Sequence, residues 1–372
     1  MILAYTYLGY PVLIALLVPF KPRRVSFEQT FKPPKVSLII PAHNEEKVLR
    51  EKIENSLSLD YPEELFSIVI VSDGSVDRTN DIINEFVLDP KVKFVQYQPR
   101  RGKAYALNLG VANSDSEIIV FSDANIWYEP DSIKMLVRNF LDPSVGCVCG
   151  KVLLRKPKES EEPLGEGAYM KYERFIHQNE SRFHTMIGTD GAMYAIRSEL
   201  FKPLPEDAIV DDFIIAMRVL KNNYRIVYEP KAVGYEEAAS SVGQEFKRKV
   251  RMIAGGFQAI GTLRNVLNPL SHPFVFFQFI SHKLLRWLTP IFMITFFLSN
   301  IFLIAAFFYR VIFGLQLIFY ALALASTFLE PLRKKVLFYF PYYFCGLNLA
   351  AAIGLKRFIT GNQPVNWEKV SR

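Results

Sequence analysis

Two phosphate-binding fingerprints are missing from this chain. No G-x-G-x-x-G follows its first apolar run, which speaks against a dinucleotide site, and no G-x-x-x-x-G-K-[ST] is present, which speaks against a P-loop. Cysteine is scarce, with three among 372 residues. Three cysteines give no disulfide framework, and the pattern fits a reducing compartment. Cys147 and Cys149 stand two apart in "VGCVCGKV" and would share one face of a strand. A zinc site needs four ligands, and no Cys/His partner cluster accompanies them, so they read as small buried hydrophobes.

Charge is absent where the chain is most apolar. Residues 1–20, "MILAYTYLGYPVLIALLVPF", carry none, and "KPRR" follows. A cleavable leader carries its positive charge ahead of the apolar stretch, so 1–20 reads as a retained anchor. Its basic end belongs in the cytoplasm, and the domain after it with it. Residues 273–355 are dense in Phe, Leu, Ile, Tyr and Ala. Three spans are expected there, roughly Leu288–Phe308, Val311–Phe328 and Val336–Leu355, giving an apolar region 288–357 and a polar tail 358–372. The basic "EPLRKK" (330–335) prefers the cytoplasm, and so do Lys356 and Arg357. Three crossings cannot satisfy both, so one segment should not span. "FPYYFCGLNLAAAIG" is the weakest candidate. Residues 271–287, with His272, His282, Lys283, Arg286 and Trp287 among apolar neighbours, fit an interfacial helix or a flank of the next span. Few charges interrupt the apolar runs, which argues against a transporter or channel alone. The net charge of +7 lies in clusters flanking those runs, so nucleic acid is not an expected partner.

Residues 35–260 alternate strands and helices. Strands are expected near Val36–Ile40, Ile68–Ser72, Val92–Tyr97 and Ile118–Ser122, and helices over 46–59, 77–86 and 102–112. That alternation predicts an α/β domain with a parallel sheet buried on both faces. Three of the strands run into polar residues: "IIPAHNEE" (39–46), "VSDGS" (71–75) and "FSDAN" (121–125). Ligands of open α/β sheets bind outside the carboxyl ends of strands, so these turns should converge on one crevice. Each is weak alone. Asp-Gly is a common turn signal, and Asp77 also suits a helix N-cap.

Together these segments resemble the family 2 inverting glycosyltransferases of the GT-A fold. The resemblance is strongest to the membrane-bound branch with the cellulose, hyaluronan and poly-N-acetylglucosamine synthases. It implies a Rossmann-like nucleotide-diphospho-sugar transferase domain between an N-terminal anchor and C-terminal transmembrane helices. It further implies that Ala42, Asn44 and Glu45 hold the nucleoside, that Asp73 contacts the base, and that Lys103 lies near the nucleotide. "SDAN" occupies the place of the family's D-x-D. Asp123 is then the metal-binding acid, and Asn125 replaces the usual second aspartate. A hard Mg²⁺ or Mn²⁺ takes oxygen ligands, which one carboxylate, an amide carbonyl, diphosphate and water can supply.

"MIGTDGAMYAIRSELF" (186–201) looks like the acceptor-site segment and implicates Gly188, Asp190 and Gly191; a turn entering a core strand is the plainer reading. "AIVDDFIIAM" (208–217) looks like the acidic pair whose second member is the general base, here Asp212 beside Asp211. The same acids would also favour the start of a helix. Arg248 and Arg251 share a helical face in "QEFKRKVRMIAGG" (244–256). In chain-making relatives that motif reads Q-x-x-R-W. Arg251 keeps the arginine that meets the diphosphate, with Arg248 beside it on the donor side. Met252 replaces the tryptophan that stacks on the acceptor, which puts long-chain processivity in doubt.

The function implied is single-displacement transfer from a nucleotide-sugar, a UDP-sugar by analogy, to a glycan or lipid-linked acceptor at the inner membrane face. Synthase or export subunits are candidate partners. The alternatives are a non-processive enzyme adding one sugar to a lipid, and a non-catalytic nucleotide-sugar-binding subunit.

Overall fold

Successive residues of the first strand point into different cores. In the computed structural model, which describes residues 1–26, 32–155, 164–237 and 242–364, β1 (Val36–Ala42) is buried along its length. Leu38 and Ile40 join one apolar cluster and Ile39 the other. A strand covered on both faces must be apolar at every position, so its run is continuous rather than alternating.

The sheet has eight strands in the order β3-β2-β1-β4-β7-β6-β8-β5. These are β2 (Phe66–Asp73), β3 (Val92–Tyr97), β4 (Ile118–Ser122), β5 (Ile126–Tyr128), β6 (Val145–Arg155), β7 (Met193–Arg197) and β8 (Arg225–Glu237). The expected parallel arrangement is found for β1 to β4. It does not extend to the rest, because β7 runs antiparallel to both β4 and β6. Ser122, at the end of β4, pairs with Met193, at the start of β7. The chain therefore re-enters the sheet at the crevice edge and runs away from it. This places the 188–192 turn beside Asp123. Cys147 and Cys149 share the buried face of β6.

The helices are α1 (Ile2–Phe20), α2 (Leu49–Leu57), α3 (Thr79–Asn84), α4 (Lys103–Ala112), α5 (Ser132–Val137), α6 (Leu164–Phe183), α7 (Asp211–Val219) and α8 (Val242–Leu263), then α9 (Pro273–Trp287), α10 (Thr289–Phe302), α11 (Phe307–Phe328) and α12 (Val336–Thr360). α4 and α7 pack with Ile39 and Val71 on one face of the sheet, and α2 and α5 pack with Leu38 and Ile70 on the other.

Among the described residues, α1, α11 and α12 are long and apolar enough to cross a membrane. α10 is not. Its 14 residues reach only about 21 Å, short of the roughly 30 Å hydrocarbon core. The span expected over Leu288–Phe308 therefore breaks after Phe302. α10 would serve only as half of a pair with α9, bent by 64°. The run over 336–355, expected to be the weakest, forms a 25-residue helix through Pro341. Its second half lies on α8: the Phe257 and Phe358 rings stack at 5.6 Å, and a Cβ on Gly354 would meet the Val250 carbonyl at 2.9 Å. Residues 365–372 of the polar tail lie outside the described residues.

Candidate active site

The parallel strands β1, β2 and β4 end at one edge, and their turns are stitched together there. Asn44 adopts a left-handed backbone at φ 56°. Its side-chain oxygen accepts from the Val76 N–H at 2.9 Å, and its own N–H donates to Ser75 Oγ at 3.1 Å. The Glu45 N–H donates to Thr79 Oγ1 at 2.8 Å, and His43 Nδ1 donates to the Asp73 carbonyl at 2.6 Å. Ala42 is buried at the strand end. The 42–45 turn and the 72–79 turn thus form one rigid wall. Asp77 accepts from the Thr79 N–H at 3.0 Å, at the start of α3.

Asp73 is fully buried and faces the loop before α4. Its carboxylate accepts from the Tyr97 hydroxyl at 2.9 Å and from the N–H groups of Arg101 (2.7 Å) and Gly102 (3.0 Å). Gly74, at φ +60°, closes on the same loop: a Cβ there would lie 2.7 Å from the Arg100 nitrogen. Asp73 therefore ties the 100–102 loop down and sets the start of α4, where Lys103 lies.

Lys103 is the hub of the crevice. Its ammonium lies 2.7 Å from Asp123 Oδ1 and 3.5 Å from Asp211 Oδ2, so residues from α4, β4 and α7 meet at one cation. Burial alone would lower the lysine's pKa, but Asp123 and Asp211 outweigh it and hold the group well above its ordinary value. Asp211 and Asp212 open α7 and lie in its first turn. Burial, then the charge of Asp211, push Asp212 up to about 7. Gly191 comes so close that a Cβ there would stand 3.1 Å from the Asp212 carboxyl. Gly188, at φ +82°, leaves room for the Phe213 ring, 2.8 Å from where its Cβ would be. Asp190 receives the Ala192 N–H at 3.3 Å and donates its own N–H to Cys149 Sγ. Burial raises its pKa, with the Ala192 N–H and Arg248 opposing.

The two arginines of α8 differ. The Arg251 guanidinium donates from Nη2 to the Ile209 carbonyl at 3.2 Å, while its buried Nε has no hydrogen-bond partner among the described residues. Burial lowers its pKa, and Asp211, Asp212 and Asp123 pull it back up. Arg248 is held by Glu245, at 2.9 Å from Nε and 2.8 Å from Nη2. Met252 is 45% exposed.

Asn125 donates from Nδ2 to Glu236 Oε1 at 3.3 Å. An aspartate at 125 would set two carboxylates against each other, which gives the departure from D-x-D a local reason. The Asn125 donation leaves its carbonyl oxygen for a cation. Asp123, a third exposed and already gathering an ammonium, offers the carboxylate. This oxygen set fits a hard divalent ion. A different trio, Glu173, His177 and His282, has the spacing for a metal. There, however, Glu173 already binds Arg286, Lys283 and His282, which reads as an ion-pair network between α6 and α9.

Lys52 was not singled out from the sequence. It is fully buried on α2, and its ammonium donates to Ser122 Oγ and to the Ile126 carbonyl, each at 2.7 Å. It also lies 4.2 Å over the Tyr128 ring. These contacts clamp both ends of the turn bearing Asp123 and Asn125. The available signal was a lysine on the apolar face of α2, next to Ile53 and one turn from Leu49 and Ser56. Lys52→Met should cost about 1–3 kcal/mol, because the Ile126 carbonyl and Ser122 hydroxyl lose their buried donor. Chemical denaturation of the purified protein checks this, and an unchanged midpoint would remove Lys52 from that task.

Comparison with known proteins adds a family. Residues 37–204 match the model for glycosyl transferase family 2. A poly-β-1,6-N-acetyl-D-glucosamine synthase of Staphylococcus epidermidis is 27% identical over 229 residues, 60% of this chain and 55% of that one. The probable glycosyltransferase YdaM of Bacillus subtilis is 29% identical over 233 residues, with the same coverage of 60% and 55%. The chain thus spans about half the length of the curated relatives it matches. A solved mannosyltransferase from Pyrobaculum calidifontis, in complex with GDP-mannose and Mn²⁺, superposes with a TM-score of 0.71 at 22% identity and covers 96% of each chain, a likeness of fold.

Proposed function

The chain carries a glycosyl transferase family 2 domain with the GT-A fold, and from that premise we propose that it is a membrane-bound inverting transferase. It moves a sugar from a nucleotide-sugar to a glycan or lipid-linked acceptor. The observation that carries this reading is Asp212, which opens α7 against Gly191 with its pKa raised to about 7. A general base works best with a pKa near the operating pH.

The step is one displacement. The acceptor hydroxyl gives its proton to Asp212, and its oxygen attacks the anomeric carbon. The bond from that carbon to the diphosphate breaks, and its electron pair leaves with the nucleoside diphosphate. One displacement inverts the configuration and needs no second carboxylate as nucleophile. Arg251, with its free buried Nε, meets the leaving diphosphate. Asn44 and Glu45 hold the nucleoside, beside Ala42. Asp73 reaches it through the 100–102 loop it anchors. Asp123 and Asn125 would hold a divalent ion, which when bound would add positive charge at the diphosphate. Gly188, Asp190, Gly191 and Met252 line the acceptor side.

α12 lies along α8 for half its length, which favours a helix that follows the membrane surface and keeps Lys356 and Arg357 on the catalytic, cytoplasmic side. The test of the activity is nucleoside diphosphate release by the purified protein in lipid, across UDP- and GDP-sugars with Mg²⁺ or Mn²⁺. Donor-specific release supports the transferase. Donor binding without any release would turn the reading toward a nucleotide-sugar-binding subunit. Exposed Met252 favours short products. Met252→Trp should lengthen them, and an unchanged ladder on a gel would remove stacking at 252 from the control of chain length.

A further inference from the structure

Charge also gathers at the edge of the sheet opposite the crevice. Arg225 opens β8 and pairs with Val145 at the start of β6. Ile196, the partner of Cys147 in β6, pairs in turn with Ile119 near the start of β4, the end away from Asp123. Arg225 is only 5% exposed. Its Nη2 donates to the Arg23 carbonyl at 2.9 Å, and its buried Nε has no hydrogen-bond partner among the described residues. The Arg23 N–H donates to the Arg182 carbonyl at 2.7 Å. The backbone just past α1 is thus pinned to the start of β8 and to the end of α6. His184 follows α6, and its ring lies 5.3 Å from that of Phe274, in the first turn of α9. The Lys21 ammonium lies 4.7 Å over the same Phe274 ring. Four elements far apart in the chain therefore meet at one basic cluster.

The cluster is short of acids. Burial, then Arg23, Lys21, Arg225 and His272, push His184 down to about 4. Asp142 is the carboxylate that acts on Arg225. Its oxygens already accept from the Ser26 and Ser144 N–H groups and from the Ser144 hydroxyl. Among the described residues, Lys21, Arg23 and Arg225 form no ion pair. Like charges held together repel, and an anion placed between them relieves that repulsion.

Position relative to the bilayer names the anion. α1 has 19 residues, about 28 Å, so the hydrocarbon span ends near Phe20, and Lys21 and Arg23 come at headgroup level. Phe20 precedes Lys21 and is 84% exposed. Leu270 and Phe274, on either side of His272, are 92% and 40% exposed. A soluble anion uses only the cations, whereas a phospholipid joins a phosphate to chains that cover apolar side chains. We infer that this cluster binds the phosphate of an anionic phospholipid of the bilayer between Lys21 and Arg23, with the lipid's chains along Phe20 and Phe274. Lysine and arginine both suit phosphate oxygens. The bound lipid ties the ends of α1, α6 and α9 to the sheet. The site is separate from the crevice and does not depend on the transferase reading.

The test is photolabelling of the full chain in phosphatidylcholine vesicles that contain a trace of diazirine-bearing phosphatidylglycerol. Label should fall on peptides containing 18–24 and 268–276. Unlabelled phosphatidylglycerol should compete, whereas added phosphatidylcholine and millimolar inorganic phosphate should not. One basic residue at an anionic surface is worth about fivefold in affinity, so Lys21→Gln with Arg23→Gln should cut labelling by about 25-fold. An unchanged thermal midpoint in phosphatidylcholine checks that this protein is folded. Lys334→Gln with Lys335→Gln removes equal charge from the other basic flank and should leave the label in place. An equal loss in that second protein would show only the general attraction of a membrane for basic flanks. Competition by inorganic phosphate would show a soluble-anion site. Either result, or full labelling in a folded Lys21→Gln, Arg23→Gln protein, would overturn the inference. The readout needs no nucleotide and no turnover, so its failure leaves the transferase reading untouched.

Discussion

Asp212→Asn will abolish sugar transfer and leave nucleotide binding nearly intact. The amide keeps the size and polarity of the side chain against Gly191 but cannot take a proton. General base catalysis contributes about 10²- to 10⁴-fold, so turnover should fall by that order. Wild-type-like turnover in this variant would remove Asp212 from the base role. The pH profile gives a second handle. Asp212 has its pKa raised to about 7, so it is protonated below that value and ionised above it. The rate should therefore fall as pH drops through neutrality. The charge of Asp211 contributes to that raised value. Asp211→Asn removes the charge, lowers the Asp212 pKa, and should move the acid limb of kcat/KM to lower pH. A limb that stays in place would show that the two acids are not coupled in catalysis.

Asp123→Ala should eliminate metal-dependent donor binding. Even outer-shell partners of a metal ligand typically cost 10–100-fold on mutation, and Asp123 would be a direct ligand. The substitution also frees Lys103, whose nearest other carboxylate is Asp211 at 3.5 Å. The released ammonium would then close on α7, so turnover should fall further than affinity alone requires. Calorimetric titration of nucleotide with and without Mn²⁺ checks the first effect. Equal metal dependence in variant and wild type would count against Asp123 as the ligand. Asn125→Asp is the informative contrast. It restores an acid two residues on but faces Glu236, so its gain in metal affinity should be small unless Glu236 is also neutralised.

Much of the site was legible because strand ends announce themselves. An unbroken apolar run that stops at "SDGS" or "SDAN" marks a buried strand leaving the sheet, and the polar residue after it lies at the edge where ligands bind. The helical spacing of Phe213, Ile214 and Met217 likewise puts Asp211 and Asp212 at the start of a helix. The limits are equally physical. Nothing between Phe302 and Phe307 is a proline or glycine, so the composition carried an apolar span through the break. Arg248 reads as one more cation beside Arg251 until Glu245, one turn earlier on the same helix, is seen to hold it.

Local chemistry by itself pointed to an α/β domain between apolar segments and to a crevice at the ends of β1, β2 and β4, through periodicity and turn chemistry, which act over a few residues. The acids and basic residues assigned to that crevice came from the family resemblance of its motifs. Long-range packing settled the remainder. It turned β7 antiparallel beside β4, gathered Asp123 and Asp211 around Lys103, buried Lys52 beneath the 122–126 turn, and set Glu236 opposite Asn125. Each of those contacts joins residues far apart in the chain, and no pattern within one segment encodes its partner.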